Sequence, residues 1–284
     1  MKGVKYIKID AHQHFWKITR QDYGWLTEEQ AILYRDYLPH DLEPLIRQHG
    51  IDRTIVVQAA PTIEETEFLL ELYSKYDFIA GVVGWLDLES PSFKDDYHRL
   101  REQVGFVGIR PMLHDLNDDR WIVRQEVMKN IELLVSDDFP LDLLIYPRHL
   151  PVVLELLEQF PQLRAVINHA AKPAIKNVIT PFWIENMNKI ASYENVMCKI
   201  SGLITEADHQ NWKHEDFRPF IQHLVHVFGI DRLMFGSDWP VCLLAGSYQN
   251  VYELFQNSLL QDLSEKEYIK IIGENASEFY RLNL

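Results

Sequence analysis

Short apolar runs, rich in β-branched residues, recur along the chain between stretches with helical spacing. Eight such runs stand out, at 6–12 (YIKIDAH), 53–60 (RTIVVQAA), 78–86 (FIAGVVGWL), 106–112 (FVGIRPM), 141–146 (LDLLIY), 165–170 (AVINHA), 195–201 (NVMCKIS) and 232–238 (RLMFGSD). Their length and composition fit strands buried on both faces. The segments between them read as amphipathic helices, most clearly 64–76 (EETEFLLELYSKY) and 150–160 (LPVVLELLEQF). In the first, Phe68, Leu69, Leu72 and Tyr73 fall on one helical face, which is expected to pack on the strands. Strands that alternate with helices pair in parallel through crossovers. Eight such units predict one closed (β/α)8 TIM barrel over residues 1–284, with no linker or second domain. An open doubly wound sheet is the competing architecture, and the absence of a Gly-rich loop after the first strand argues against it.

Two connections exceed the minimal repeat. Residues 13–37 follow the first strand and carry Trp16, Tyr23, Trp25 and Tyr34; residues 203–214 follow the seventh and are polar. Both leave the C-terminal ends of strands, the face on which barrel enzymes build their sites.

That face also collects the chemistry-bearing residues. His12 and His14 end the first run, His169 the sixth and Asp238 the eighth. A lone His-x-His pair is a weak signal. Residues i and i+2 of a strand share a side, however, so both imidazoles are expected to face the barrel mouth. Strand eight neighbours strand one in a closed barrel, which places Asp238 beside the pair. A carboxylate buried after an apolar strand needs a cation, an imidazole or a metal as partner. Lys172, three residues after His169, adds a cation at the mouth. Arg110, Tyr146 and Lys199 end strands four, five and seven and are candidates for contact with substrate oxygens, while Trp25, Trp85 and Trp239 are candidate aromatic faces for a substrate ring.

Composition narrows the function class. A formal net charge of −14 argues against nucleic acid as a partner. Apolar runs fall short of the ~18–20 residues of a membrane span. Lysines interrupt the N-terminal stretch Met1–Lys8, which therefore lacks the apolar core of a signal peptide. Two cysteines, Cys198 and Cys242, give no disulfide framework and suit a reducing compartment. The expected protein is cytoplasmic and acts on a small molecule; the sequence is equally compatible with a monomer and a homo-oligomer.

The motifs IDAHQHFW (9–16), VVQAAPTIEET (56–66), GVVGWLDL (81–88), GFVGIRPML (105–113), INHAAKP (167–173), CKISGLITEA (198–207) and FGSDWPVC (235–242) resemble, over nearly the whole chain, the amidohydrolase superfamily and within it the sugar-lactone hydrolase branch. The resemblance implies a barrel that opens a cyclic ester, with Asp238 handling the proton and His12, His14 and His169 completing the site. Binuclear members carry a bridging lysine on strand four and a histidine at the end of strand five. This chain has Arg110 and Tyr146 there, and arginine does not give up its proton to be carbamylated. At most one divalent ion, zinc or manganese, is therefore expected on His12, His14, His169 and Asp238, with metal-free catalysis as the other reading. His149, three residues past Tyr146, is expected in the following helix. The preferred substrate is a neutral sugar lactone rather than a dicarboxylate lactone. The competing readings are a metal-dependent decarboxylase, an amide hydrolase of the same superfamily, and a barrel that binds without turnover.

Overall fold

The computed structural model describes residues 6–259 and 263–284. Residues 1–5, which hold most of the stretch read above against a signal peptide, lie outside them. Eight strands form one parallel sheet in consecutive order: β1 (Ile9–Gln13), β2 (Arg53–Val57), β3 (Ile79–Gly84), β4 (Phe106–Ile109), β5 (Leu141–Leu143), β6 (Ala165–Ile167), β7 (Val196–Ile200) and β8 (Leu233–Phe235). The ring closes where Gln13 bridges Trp239 in parallel, with the His14 N–H donating to Trp239 O at 2.7 Å and the Asp238 N–H to His12 O at 2.8 Å. The expected barrel is therefore present, and strand eight does lie against strand one.

A helix follows each strand: α1 (Pro39–Gln48), α2 (Ile63–Lys75), α3 (Phe93–Arg101), α4 (Gln125–Ser136), α5 (Leu150–Gln159), α6 (Pro181–Ala191), α7 (His214–Phe228) and α8 (Tyr248–Leu259). Thr62 and Thr180 start α2 and α6 by accepting the N–H of Glu65 and Trp183, which satisfies an otherwise orphaned donor. On α2, Phe68, Leu69 and Leu72 are buried as their spacing predicts, while Tyr73 is half-buried. Each large apolar side chain taken from water on this face contributes roughly 1.5–3 kcal/mol. No helix among the described residues is long and apolar enough to cross a membrane.

The core has two parts. One lies between the strands and the helices. The other fills the barrel interior with Ile9, Ala11, Ile55, Val57, Val83, Val107, Val166, Met197 and Met234, and is plugged from below by Ala276, Phe279 and Tyr280. The plug belongs to a C-terminal run of α9 (Glu265–Ile269), a π-helical turn (Lys270–Glu274) and α10 (Asn275–Tyr280). Polar contacts anchor it: Tyr280 OH donates to Asp142 Oδ1 at 2.7 Å, and Asn275 Nδ2 to the carbonyls of Ile230 and Leu233, each at 2.7 Å. With the bottom closed, a ligand enters from the other end.

Candidate active site

At that open end the chain leaves the hydrogen-bonded ladder in ways that aim its polar side chains inward. The pairing of β1 with β2 slips between Asp10 and Gln13. Such an irregularity re-aims a side chain. Here it brings His12, which follows the inner-core residue Ala11, into contact with Lys199 and Arg110 inside the barrel. Gly236 leaves room for it, since a Cβ there would stand 2.6 Å from His12 Cβ. His169 and Asp238 lie beyond the ends of β6 and β8, in the left-handed region at φ 53° and 57°. His169 begins four consecutive residues of positive φ that end at Lys172. Gly202, itself at φ 58°, completes the crowding: a Cβ there would lie 2.5 Å from His169 Nδ1 and 2.9 Å from Asp238 Oδ2.

These turns converge on one carboxylate oxygen. Asp238 Oδ1 is 3.2 Å from His14 Nε2, 3.7 Å from His169 Nε2 and 3.8 Å from His12 Nε2. Each histidine is held from its far side or its flank. His14 Nδ1 donates to Val57 O at 2.8 Å, which leaves the Nε2 lone pair facing Asp238. His169 Nδ1 is 2.8 Å from Ser201 Oγ. His12 sits between two cations, with Lys199 Nζ 3.4 Å from Nδ1 and Arg110 Nη1 3.3 Å from Nε2.

The electrostatics follow from burial and these neighbours. Burial pushes His12 and His169 well below the ordinary histidine pKa; nearby cations push the same way for both, while Asp238 opposes the shift at His169. His14 is lowered too, again chiefly by burial. Burial alone would raise the Asp238 carboxyl, but His169, His14 and Lys172 outweigh it and hold the pKa at about 2. At neutral pH Asp238 is therefore ionised, while His12, held between Lys199 and Arg110, is a neutral imidazole. Arg110 stays charged, although burial lowers its pKa to about 10.

The pocket above these groups is lined by His14, His169, Asp238, Arg110, Lys172 and Trp25, together with Ala59, Met112, His114, Asp115, Leu144 and Val241. Several expectations need correction. Lys199 does not reach it. It is fully buried below His12 and paired with Asp142 Oδ2 at 2.7 Å, because its inward position on β7 points into the barrel rather than up to the mouth. Trp239 is 2% exposed and packs edge-on against Phe15 and Tyr37, so it seals the β1–β8 seam. Trp85 follows β3 with both its backbone N–H and C=O tied to the Thr66 hydroxyl, and it is not among the lining residues. Tyr146 lines an adjoining groove with Arg148, Lys176 and Glu206, joined to the pocket through Lys172. His149 ends a 3-10 turn just before α5 and uses its Nδ1 to accept the Tyr146 N–H at 3.0 Å. Trp25 does line the pocket: the loop over 13–37 is pinned by Trp16–Tyr37 pairing, and the Trp25 indole N–H donates to Ala59 O at 2.7 Å.

Other contributors escaped the sequence reading. Gln58 clamps Arg110: its Nε2 donates to Arg110 O at 2.9 Å, and its backbone carbonyl accepts from Arg110 Nη2. Glu206, from the long connection after β7, pairs with Lys172 and neutralises it. Asp10 accepts the N–H groups of His12 and Ser237 and the Tyr248 hydroxyl, fixing β1 to the turn after β8. Asp10 and Asp142 carried a visible signal, since each is an acid inside an apolar strand. Gln58 and Glu206 carried none.

The His12, His14 and Asp238 ligand atoms all lie within 4.8 Å of one another. The His14–Asp238 separation of 3.2 Å is close to the ~3.3 Å expected between two ligands on one tetrahedral zinc. With Nδ1 of His14 committed to a carbonyl, two acceptors face each other there, an arrangement that a cation or a shared proton relieves. These residues thus fit a single divalent ion. Arg110, 3.3 Å from the same His12 nitrogen, opposes that ion and weakens the hold.

The amidohydrolase family pattern matches residues 9–282. The chain is an amidohydrolase. This amidohydrolase is 40% identical to an L-fucono-1,5-lactonase of Burkholderia ambifaria, over 97% of its own length and 96% of the relative's. It is 37% identical to an L-fucono-1,5-lactonase of Burkholderia multivorans, with 97% and 96% covered. A crystal structure of an amidohydrolase from Burkholderia multivorans with bound zinc superposes with a TM-score of 0.92 at 35% identity, covering 98% of this chain and all of that one.

Proposed function

We propose that this amidohydrolase opens a neutral sugar lactone, with L-fucono-1,5-lactone as the first candidate, to its hydroxy acid. The observation that carries the reading is Asp238, an ionised carboxylate that lines one pocket together with the fixed cation Arg110. Asp238 takes a proton from water as the water oxygen attacks the lactone carbonyl. Negative charge develops on the carbonyl oxygen, and Arg110, clamped by Gln58, faces the same space and stabilises it. The carbon–oxygen ring bond then breaks, and Asp238 returns the proton to the leaving ring oxygen. A carboxyl with a pKa near 2 is a modest base but a strong acid once protonated, so its environment favours the second transfer. His14 and His169 orient the carboxylate. A divalent ion on His12, His14 and Asp238 would supply Lewis-acid polarisation of the carbonyl. We further take zinc or manganese as that ion and the cytoplasm as the compartment.

The test is a pH-indicator hydrolysis screen over neutral sugar lactones and dicarboxylate lactones, run after chelation and with added zinc or manganese. A neutral sugar lactone is expected to have the higher kcat/KM, and recovery of rate with an ion assigns it to the histidine–aspartate group. Failure to open any lactone, with carbon dioxide released from an aromatic acid instead, would establish the decarboxylase.

The pH profile is a separate prediction. A carboxylate with a lowered pKa is functional above that pKa and lost as pH falls through it. With Asp238 near 2 and its histidine neighbours lowered below the ordinary value, kcat/KM corrected for spontaneous hydrolysis should stay level from pH 8 down to pH 5. A limb centred between pH 6 and 7 would move the proton transfer to an imidazole.

A further inference from the structure

The pocket holds a second carboxylate that the reaction does not use. His114 and Asp115 belong to the 3-10 turn Leu113–Asp115 after β4 and line the same pocket as Asp238 and Arg110. His114 Nε2 lies 3.2 Å from Asp115 Oδ1. The turn is fixed to the next strand's end: the His114 N–H donates to Leu144 O at 3.2 Å, and its carbonyl accepts from Arg148 Nη2 at 3.4 Å. Burial, with help from Arg110 and Lys172, lowers the His114 pKa to about 3, so the ring is neutral and offers one N–H. Asp115 is half exposed, and among the described residues no Lys, Arg or charged imidazole pairs with it; the neutral His114 ring stands beside it. Glu206, by contrast, is spent on Lys172.

A carboxylate beside a neutral imidazole has lone pairs that only hydrogen-bond donors satisfy. The donors a lactone ring can bring are hydroxyls, and two neighbouring hydroxyls match the two oxygens of one carboxylate. A ring carboxylate would instead meet like charge. Trp25, with its indole N–H committed to Ala59 O, is left to offer an apolar face. We propose that His114 and Asp115 read the ring hydroxyls of the substrate. They thereby select polyhydroxylated aldonolactones over lactones that lack hydroxyls or carry a carboxylate. This inference rests on the lactone reading above.

The experiment compares kcat/KM on L-fucono-1,5-lactone with that on δ-valerolactone, a six-membered lactone without ring hydroxyls, for the wild type and for Asp115→Ala. The quantity read is the ratio of the two, which is independent of the fraction of each preparation that is folded. Hydrogen bonds to a charged acceptor are worth roughly 10- to 100-fold in discrimination. The ratio is expected to favour the hydroxylated lactone in the wild type and to fall at least tenfold in Asp115→Ala. An unchanged ratio in an enzyme that opens both lactones overturns the role of Asp115 and leaves the lactonase standing. A wild type that opens neither lactone overturns both.

Discussion

Asp238→Asn is expected to lower kcat on the best lactone by roughly 10³-fold or more, toward the upper end of what one acid–base group contributes. In the proposed reaction the side chain serves twice, taking a proton from water and returning it to the ring oxygen, and an amide does neither. The substitution keeps the volume and the backbone, including the left-handed turn at φ 57° and the Asp238 N–H donated to His12 O. KM should therefore move by no more than a few fold, since Arg110 and Trp25, the proposed substrate contacts, keep their places in the pocket. Circular dichroism and a thermal unfolding midpoint close to that of the wild type would show that the barrel is intact. A variant retaining activity within tenfold of the wild type would remove Asp238 from the reaction. A protein that only binds its ligand would have no rate to lose and would keep its affinity. The same variant thus separates catalysis from binding without turnover.

The barrel was legible in the sequence because buried parallel strands are continuous apolar runs, and eight of them recur between helical segments. Strand limits were not. The runs at 165–170 and 232–238 extend past the paired residues Ala165–Ile167 and Leu233–Phe235, because the chain leaves the ladder to present His169 and Asp238. Periodicity carries no mark of that departure. His12, His14, His169 and Asp238 could be grouped because each stands at or just past the end of an apolar run, and the structure brings their side chains together. Direction was not legible: Lys199 and Trp239 lie near strand ends yet are buried away from the pocket, and Trp85 does not line it. That His12 and His14 share a side was anticipated from alternation, and it holds; that the pair turns inward directly after the inward-facing Ala11 was not legible, and alternation is not its cause. The slip in register of β1 is. The pair His114–Asp115 lay in a segment without periodicity, and only its position over β4 gives it meaning.

Removing Asp142 should damage the protein more than removing its partner Lys199. Asp142 is fully buried and accepts from Lys199 Nζ at 2.7 Å, Asn168 Nδ2 at 2.9 Å and the Tyr280 hydroxyl at 2.7 Å. It thus ties β5 and β7 to the turn after β6 and to the C-terminal plug. Asp142→Ala leaves the Lys199 ammonium buried and uncompensated, with His12 at 3.4 Å and Arg110 nearby. Breaking a buried ion pair on one side costs about 3–5 kcal/mol. Lys199→Met leaves Asp142 with two neutral donors and an apolar neighbour of similar length, and should cost less. The double variant Asp142→Ala, Lys199→Met should recover part of the loss, because no charge is stranded. Urea unfolding at pH 7 measures all three. The pH dependence supplies a sign that packing loss alone would not. Burial already lowers the Lys199 pKa with Asp142 present, and without it the folded-state value falls further below that of the unfolded chain. The unfolded state then binds more protons between those two values, so the stability of Asp142→Ala should rise with pH across that window. Its deficit relative to the double variant should therefore narrow as pH approaches 10. A deficit that stays constant from pH 7 to 10, or an Asp142→Ala protein within about 1 kcal/mol of the wild type, would show that the charge on Lys199 is not what the carboxylate is there to balance.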